Sequence, residues 1–130
     1  MALYPTGKES FLTGTIVCST ADMRWMLCKS AYTYSAAHVF ISDLPAATAD
    51  NGRSTALLSK TTTGGVFDAA DISLTATAAS ACNALILFSH TGSDATARLL
   101  AYVSVSAFTP AASQQIDIVH DNGANKIFAI

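Results

Sequence analysis

The alternation of apolar and polar positions along the chain predicts a mainly β domain. In residues 23–29, Met23, Trp25 and Leu27 fall on one face of an extended segment. Met26 and Cys28 fall on the other face. Because both faces are mostly apolar, this segment is typical of an interior strand. The continuous apolar run at residues 85–89 likewise predicts a buried central strand.

Shorter segments with β-type patterning complete a set of about seven strands separated by turns. They are residues 57–63, 66–67 leading into 71–76, 99–106, 115–120 and 126–130. In the segment 99–106, alternation puts Leu99 and Ala101 on the same face. The strongest hairpin signal is Asp121-Asn122-Gly123, which predicts a tight turn between the last two segments with Gly123 at positive φ.

The front of the chain predicts one or two short helices. Residues 8–12 follow a Pro5-Thr6-Gly7 turn signal and precede Gly14, a residue suited to a helix C-terminus. In residues 35–44, Ser35 is a candidate N-cap and the apolar positions follow the helical period. The pair Asn51-Gly52 predicts a turn within a loop over residues 46–53.

These elements predict an antiparallel β-sandwich-like domain with one or two short helices near the N-terminus. An α+β domain with a mainly antiparallel sheet is the alternative. The length of 130 residues predicts one structural domain over residues 1–130, with residues 1–14 as a candidate N-terminal arm.

Charge and composition exclude several classes of function. Charged residues make up 12% of the chain and the net charge is −2. The seven basic residues are scattered singly, whereas a nucleic-acid binder shows a basic patch or stripe. No apolar run approaches the roughly 20 residues that span a bilayer, and the N-terminus does not resemble a signal peptide. We therefore expect neither a nucleic-acid nor a membrane partner.

The three cysteines predict buried thiols rather than a metal or disulfide site. Cys18, Cys28 and Cys82 each have an apolar or small neighbour, and no CxxC or CxxH spacing is present. A reactive thiol or a disulfide is the alternative.

Other polar residues give little support to an enzyme. Asp68 and Asp71 are interpreted as turn and cap residues rather than as a catalytic carboxylate pair. The three histidines, His38, His90 and His120, form no metal-binding or catalytic spacing, and no GxSxG or phosphate-loop motif occurs.

Residues 117–121 form the densest cluster of titratable side chains. In an extended segment, Asp117 and Asp121 share one face and are candidate ligands of a divalent cation. His120 points to the other face, and no third ligand is evident. Polar side chains at a strand edge are the alternative. We expect no cofactor and no catalytic site.

The densest aromatic region contains Trp25, Tyr32, Tyr34 and Phe40. These four are candidates for a subunit interface, and the alternative is ordinary core with hydroxyl groups bonded at its margin.

Several blocks of the chain resemble a group of small tailed-bacteriophage proteins, in the same order over nearly the full length. The blocks are GKESFLTG at 7–14, AYTYSAAH at 31–38 with ISDLP at 41–45, GVFDAADI at 65–72, TG at 91–92 with TARLLAY at 96–102, and DNGANKIF at 121–128. The chain departs from the group's more acidic pattern at 18–20, 28–30 and 78–82.

The resemblance implies a virion structural protein of the head and tail modules and carries over no catalytic residue. The expected function is a capsid cement or decoration subunit, made in the host cytoplasm and located in the virion. Its partners would be the major capsid protein or other virion proteins, with a homo-oligomer expected. A tail or head–tail junction component is the alternative.

Overall fold

The protein is mainly β, with 39% strand and 13% helix. The computed structural model describes residues 2–120 and 126–129. The strands are β1 (Ala2–Leu3), β2 (Met23–Lys29), β3 (Asp50–Arg53), β4 (Val66–Phe67), β5 (Ile72–Thr75), β6 (Cys82–Ser89), β7 (Leu99–Phe108), β8 (Gln115–Ile118) and β9 (Phe128–Ala129). The helices are α1 (Pro5–Leu12) and α2 (Ala46–Ala49), with 3-10 turns at Ile41–Asp43 and Thr63–Gly65.

A five-stranded antiparallel sheet in the order β1-β7-β6-β2-β3 forms the centre of the fold. The prediction of interior strands at β2 and β6 is confirmed, since each is paired on both edges. Trp25 and Leu27 face one core, while Met26 and Cys28 face the other. The two-sided apolar pattern therefore requires cover on both faces of the sheet.

The first core lies between the central sheet and two small antiparallel sheets, β4–β9 and β5–β8. Its largest buried members are Met23, Trp25, Leu27, Leu57, Phe67, Leu74, Leu87, Leu100 and Phe128. This arrangement of sheet against sheet agrees with the sandwich-like prediction.

The second core lies on the opposite face and is rich in aromatic side chains. It contains Tyr4, Met26, Cys28, Tyr32, Ile41, Leu44, Ala49, Ile86, Phe88 and Leu99. Its cover is the irregular chain that follows β2 together with α2.

The two small sheets behave as one interrupted two-stranded ribbon. Phe67 pairs with Phe128, and Ile72 pairs with Ile118. Four residues separate Phe67 from Ile72, whereas nine separate Ile118 from Phe128. The predicted hairpin is therefore wrong in its pairing, because β8 pairs with β5 and β9 with β4. The predicted conformation of Gly123 lies outside the described residues.

At the N-terminus, the predicted helix is confirmed but begins earlier. Pro5 starts α1 at its first position, where a missing N–H has no cost, so the predicted turn before the helix is wrong. Gly14 follows the helix at φ +76°, as its predicted role requires.

The predicted helix over residues 35–44 is wrong except for the 3-10 turn. The Asp43 carboxylate accepts the backbone N–H groups of Val39 and Phe40 at 2.9 Å each. Phe40 also forms a β-bridge with Arg98. These pairings compete with the helical hydrogen bonds that the apolar period predicted.

The predicted loop and turn over residues 46–53 are also wrong, because this segment forms α2 and the edge strand β3. The buried Asn51 side chain donates to the Ala78 carbonyl at 3.1 Å and accepts the Ala78 N–H at 2.9 Å. Asn51 therefore links β3 to the chain after β5 through long-range hydrogen bonds, whereas the predicted turn involved only its own neighbours.

Two further strand assignments change. Residues 57–63 do not form a strand, although Thr61 makes an isolated bridge with Asp68. Within β7, a register shift against β6 puts Leu99 in the second core and Ala101 in the first. The predicted common face for these two residues is therefore wrong.

We predict that Gly52→Ala destabilises the fold strongly. Gly52 has φ +120°, and a Cβ atom there would lie 2.3 Å from the Thr75 carbonyl oxygen. Strained backbone costs about 1–3 kcal/mol, and the steric overlap with Thr75 adds to it. We expect a loss of at least about 3 kcal/mol in urea unfolding.

The matched control is Gly92→Ala. Gly92 has φ +88°, but a Cβ atom there would meet nothing within 4 Å. This variant should lose only about 1 kcal/mol. Equal losses in the two variants would contradict the close approach of β3 to the end of β5.

Candidate interaction surface

An apolar groove opens on the first-core face of the central sheet beside β7. It comprises two adjoining cavities of about 370 and 230 Å³. Both cavities are lined by Leu85, Val105, Ile118 and Val119. The groove exists because the small β5–β8 sheet leaves the β6–β7 part of the sheet face incompletely covered, so Val105 stays partly exposed.

The outer edge of β7 is open along most of its length. Within residues 2–120 and 126–129, its only strand partner on that edge is β1, at Ala101 and Tyr102. The stretch from Val103 to Phe108 therefore presents backbone N–H and C=O groups at the border of the groove. No residue between Arg98 and Asp117 carries a charge.

Two opposite charges mark the ends of the groove. Asp117 lines the larger cavity together with Phe108, and Lys126 lines the smaller cavity together with Val103. The Lys126 ammonium also lies 3.2 Å from an Asp68 carboxylate oxygen. Along β7, the groove therefore runs from an end near Val103, where Lys126 is ion-paired with Asp68, to an end near Phe108, where Asp117 has no ion pair among the described residues.

The four predicted interface aromatics do not lie together on this surface. Trp25 is 3% exposed in the first core, and Tyr32 is 4% exposed in the second. Tyr34 is half-buried against the second core, and the half-buried Phe40 ring lies 5.1 Å from the Arg98 guanidinium. Trp25 and Tyr32 are thus core residues, because β2 and the chain after it bury them on opposite faces of the sheet.

Tyr32 is the centre of a buried hydrogen-bonded chain. Its hydroxyl lies 3.1 Å from the Tyr4 hydroxyl and 2.9 Å from His38 Nδ1. Burial raises the pKa of both Tyr4 and Tyr32 above the ordinary value for tyrosine. Both phenols therefore stay protonated at neutral pH and act as structural hydrogen-bonding groups.

His120 is buried and joins the two layers of the fold. Its Nε2 accepts the Trp25 indole N–H at 3.1 Å, and its Nδ1 donates to the Ala69 carbonyl at 2.9 Å. The backbone N–H of His120 donates to Asp71 at 2.8 Å. His120 is therefore not a polar group at a strand edge, and Asp71 bonds the chain that follows β8 rather than its own turn.

Of the two carboxylates predicted as cation ligands, Asp117 and Asp121, the structure describes only Asp117. The Asp117 carboxylate accepts a hydrogen bond from the Gln115 amide at 3.0 Å. Asp121 lies outside the described residues. In the ranges that the structure describes, no three His, Cys, Asp or Glu side chains come together as a possible metal site.

The three cysteines are free thiols, with Cys28 and Cys82 buried and Cys18 half-buried. Burial raises the pKa of Cys28 to about 12 and also raises that of Cys18. The Cys82 sulfur accepts a hydrogen bond from the Asn51 amide at 3.2 Å. The prediction of buried thiols is confirmed for Cys28 and Cys82, and Cys18 is only partly covered.

Arg53 forms ion pairs with two carboxylates. It bonds Asp50 on its own strand and Asp94 in the loop before β7, and its guanidinium lies 5.5 Å from the Phe88 ring centre. The hydrogen bond from Arg53 lowers the pKa of Asp94. These charges join β3 to the loop before β7 and have a structural role.

No family model, curated protein or solved structure matches this chain. Among the helices that the structure describes, none has the length and apolar character needed to cross a membrane.

We predict that Tyr32→Phe destabilises the protein by about 1–3 kcal/mol, because the fully buried Tyr4 hydroxyl and His38 Nδ1 both lose their partner. Tyr34→Phe is the matched control, since the Tyr34 hydroxyl makes no hydrogen bond within the described part of the chain. It should change stability by less than about 0.5 kcal/mol in the same thermal unfolding assay. Similar effects for the two variants would argue against the buried chain.

We also predict that a thiol reagent at pH 8 modifies Cys18 alone in the folded protein. A raised pKa lowers the thiolate fraction, and the Cys28 thiol is both shielded and almost fully protonated. Labelling followed by mass spectrometry should give one modified site slowly, and all three in urea. Fast labelling of Cys28 without urea would contradict its burial.

Proposed function

We propose that this chain is a non-enzymatic structural subunit of a tailed-bacteriophage virion, and most specifically a cement or decoration protein that stabilises the capsid shell. The observation that carries the proposal is the open, uncharged edge of β7 beside an apolar groove. A protein that works alone in solution normally protects such an edge with charges or covers it. An assembly subunit uses it for contact with a neighbour.

The resemblance of several ordered sequence blocks to small phage proteins supports the same proposal. The composition agrees with it, because Ala, Ser and Thr together make up 53 of the 130 residues. Small side chains lose little conformational entropy when a neighbour covers them. A subunit that is packed into a particle therefore gains from this surface.

A tail or head–tail junction component is the competing function, because the resemblance to head and tail modules does not separate the two. Copy number distinguishes them. A shell protein is present in on the order of hundreds of copies, whereas a closed ring at the junction has on the order of ten. Quantitative protein bands from purified particles, measured against the major capsid protein, give this number directly.

We predict that particles lacking this protein release DNA at a lower temperature than complete particles, and that adding the purified protein restores heat resistance. A subunit that binds only the assembled shell stabilises it by mass action. Because the surface carries few charges, restoration should persist at high salt. DNA release on heating is followed with a dye that is excluded from intact particles.

The control is the same measurement on particles that received heat-denatured protein. Depleted particles that are fully heat-resistant, yet fail to attach tails, would contradict the cement function and favour the junction function. Hydrolysis of ester or glycoside substrates by the purified protein would contradict the non-enzymatic proposal.

A further inference from the structure

We propose that a second copy of this chain occupies the groove and the open β7 edge, with the two β7 strands antiparallel across a two-fold axis. This inference deepens the proposed function, since it names the partner at that surface. It rests on three features of the described residues: the position of the free edge, the direction of the groove, and the charges at its two ends.

The free part of the β7 edge has a defined start and a defined end, so the same stretch of a second copy can pair along all of it. It begins where β1 stops, beside Tyr102, and Pro110 follows the end of β7. Pro has no backbone N–H and ends strand pairing. An antiparallel copy would therefore meet the same stretch, Val103 to Phe108, in reverse, and each strand would end where the β1 of the other copy begins.

The polarity of the groove selects an antiparallel copy. Lys126, which shares its charge with Asp68 and is partly exposed, lies near Val103, and Asp117, which has no ion pair among the described residues, lies near Phe108. When two β7 strands run in opposite directions, the Lys126 end of one groove faces the Asp117 end of the other. A two-fold axis forms this attraction twice, whereas parallel copies would bring like charges together.

The apolar surface supplies the larger part of the contact. A two-fold axis through an antiparallel strand pair stands perpendicular to the sheet, so both grooves lie side by side on the same face. Val119 is 72% exposed and lines both cavities of its own groove. Pairing brings this side chain and the partly exposed Val103 and Val105 towards their symmetry mates and removes apolar surface from water.

A second register shift between β6 and β7, besides the one near Leu99, lies beside the free edge. It falls between the pairs Ala84–Ser104 and Cys82–Phe108, and such irregularities increase the twist of a strand. Twist limits how many backbone hydrogen bonds two edges can share. The second copy is therefore held chiefly by the groove and the end charges, with a short strand pair setting the register.

The first test compares Val119→Lys with Leu58→Lys by sedimentation equilibrium of the purified protein. The two side chains are 72% and 69% exposed, but Leu58 lines neither cavity of the groove. We expect Val119→Lys to weaken dimer association roughly tenfold or more, because a symmetric contact contains the substitution twice. Leu58→Lys should associate as the unsubstituted chain does, and thermal unfolding checks that both variants are folded.

The second test reverses the end charges. Asp117→Lys alone and Lys126→Glu alone should each weaken the dimer roughly threefold to tenfold at low salt, since each brings like charges together. A mixture of the two variants should recover association, because a mixed dimer has opposite charges at both ends. If the mixture shows no recovery, Asp117 does not face Lys126 of the second copy, and the antiparallel arrangement is overturned.

Each outcome decides the inference. Weak association of Val119→Lys, together with recovery in the mixture, supports it. A chain that stays monomeric at high concentration, or a dimer that is unaffected by Val119→Lys, overturns it. If the monomer still binds particles through Val119, the groove takes another virion protein, and the proposed function stands while the second copy is excluded. If the dimer forms but depleted particles neither need nor bind it, the proposed function fails alone.

Discussion

Burial of β2 and β6 on both faces is the constraint on which the rest of the structure depends. Alternate side chains of β2, such as Trp25 and Met26, enter different cores, so both faces of the central sheet need cover where β2 and β6 lie. Each face then needs its own cover from the same short chain. The ribbon of β4, β5, β8 and β9 covers one face, and the chain around Tyr32 and Ile41 covers the other.

Different chemistry holds each cover in place. The ribbon is fastened by apolar packing and by His120, whose ring joins Trp25 to the Ala69 carbonyl. The irregular cover is fastened by polar groups, with Asp43 binding backbone N–H groups and Tyr32 joining Tyr4 to His38. A cover without regular structure satisfies part of its backbone with side chains, and another part pairs with the chain at the start of β7, as in the bond from the Leu99 N–H to the Val39 carbonyl.

The sequence predicted those parts of the fold that depend on local pattern. The apolar period of β2, the apolar run within β6 and the alternation in β5 were enough to identify them. It did not predict where distant segments meet. Asn51-Gly52 has the composition of a turn, yet Asn51 is buried against Ala78 and Gly52 lies against Thr75. These contacts join residues more than twenty positions apart, so no local signal contains them.

Local sequence pattern was also not enough to locate the candidate site. Aromatic density indicated Trp25 and Tyr32, but aromatic side chains also pack well in a small core, and these two residues are buried there.

The better signal was the lack of charged residues between Arg98 and Asp117, although this stretch contains a strand of ten residues. A strand without charge is expected in the middle of a sheet. Here, within the described part of the chain, the outer edge of β7 is paired only over its first residues, Leu99 to Tyr102, so the stretch from Val103 to Phe108 has the composition of an interior strand in an edge position. The ribbon cannot resolve this mismatch, because its two strands pair with each other and cover the sheet face rather than its edge. The composition of β7 is therefore explained when a further strand lies beside it, as it would in an assembled particle.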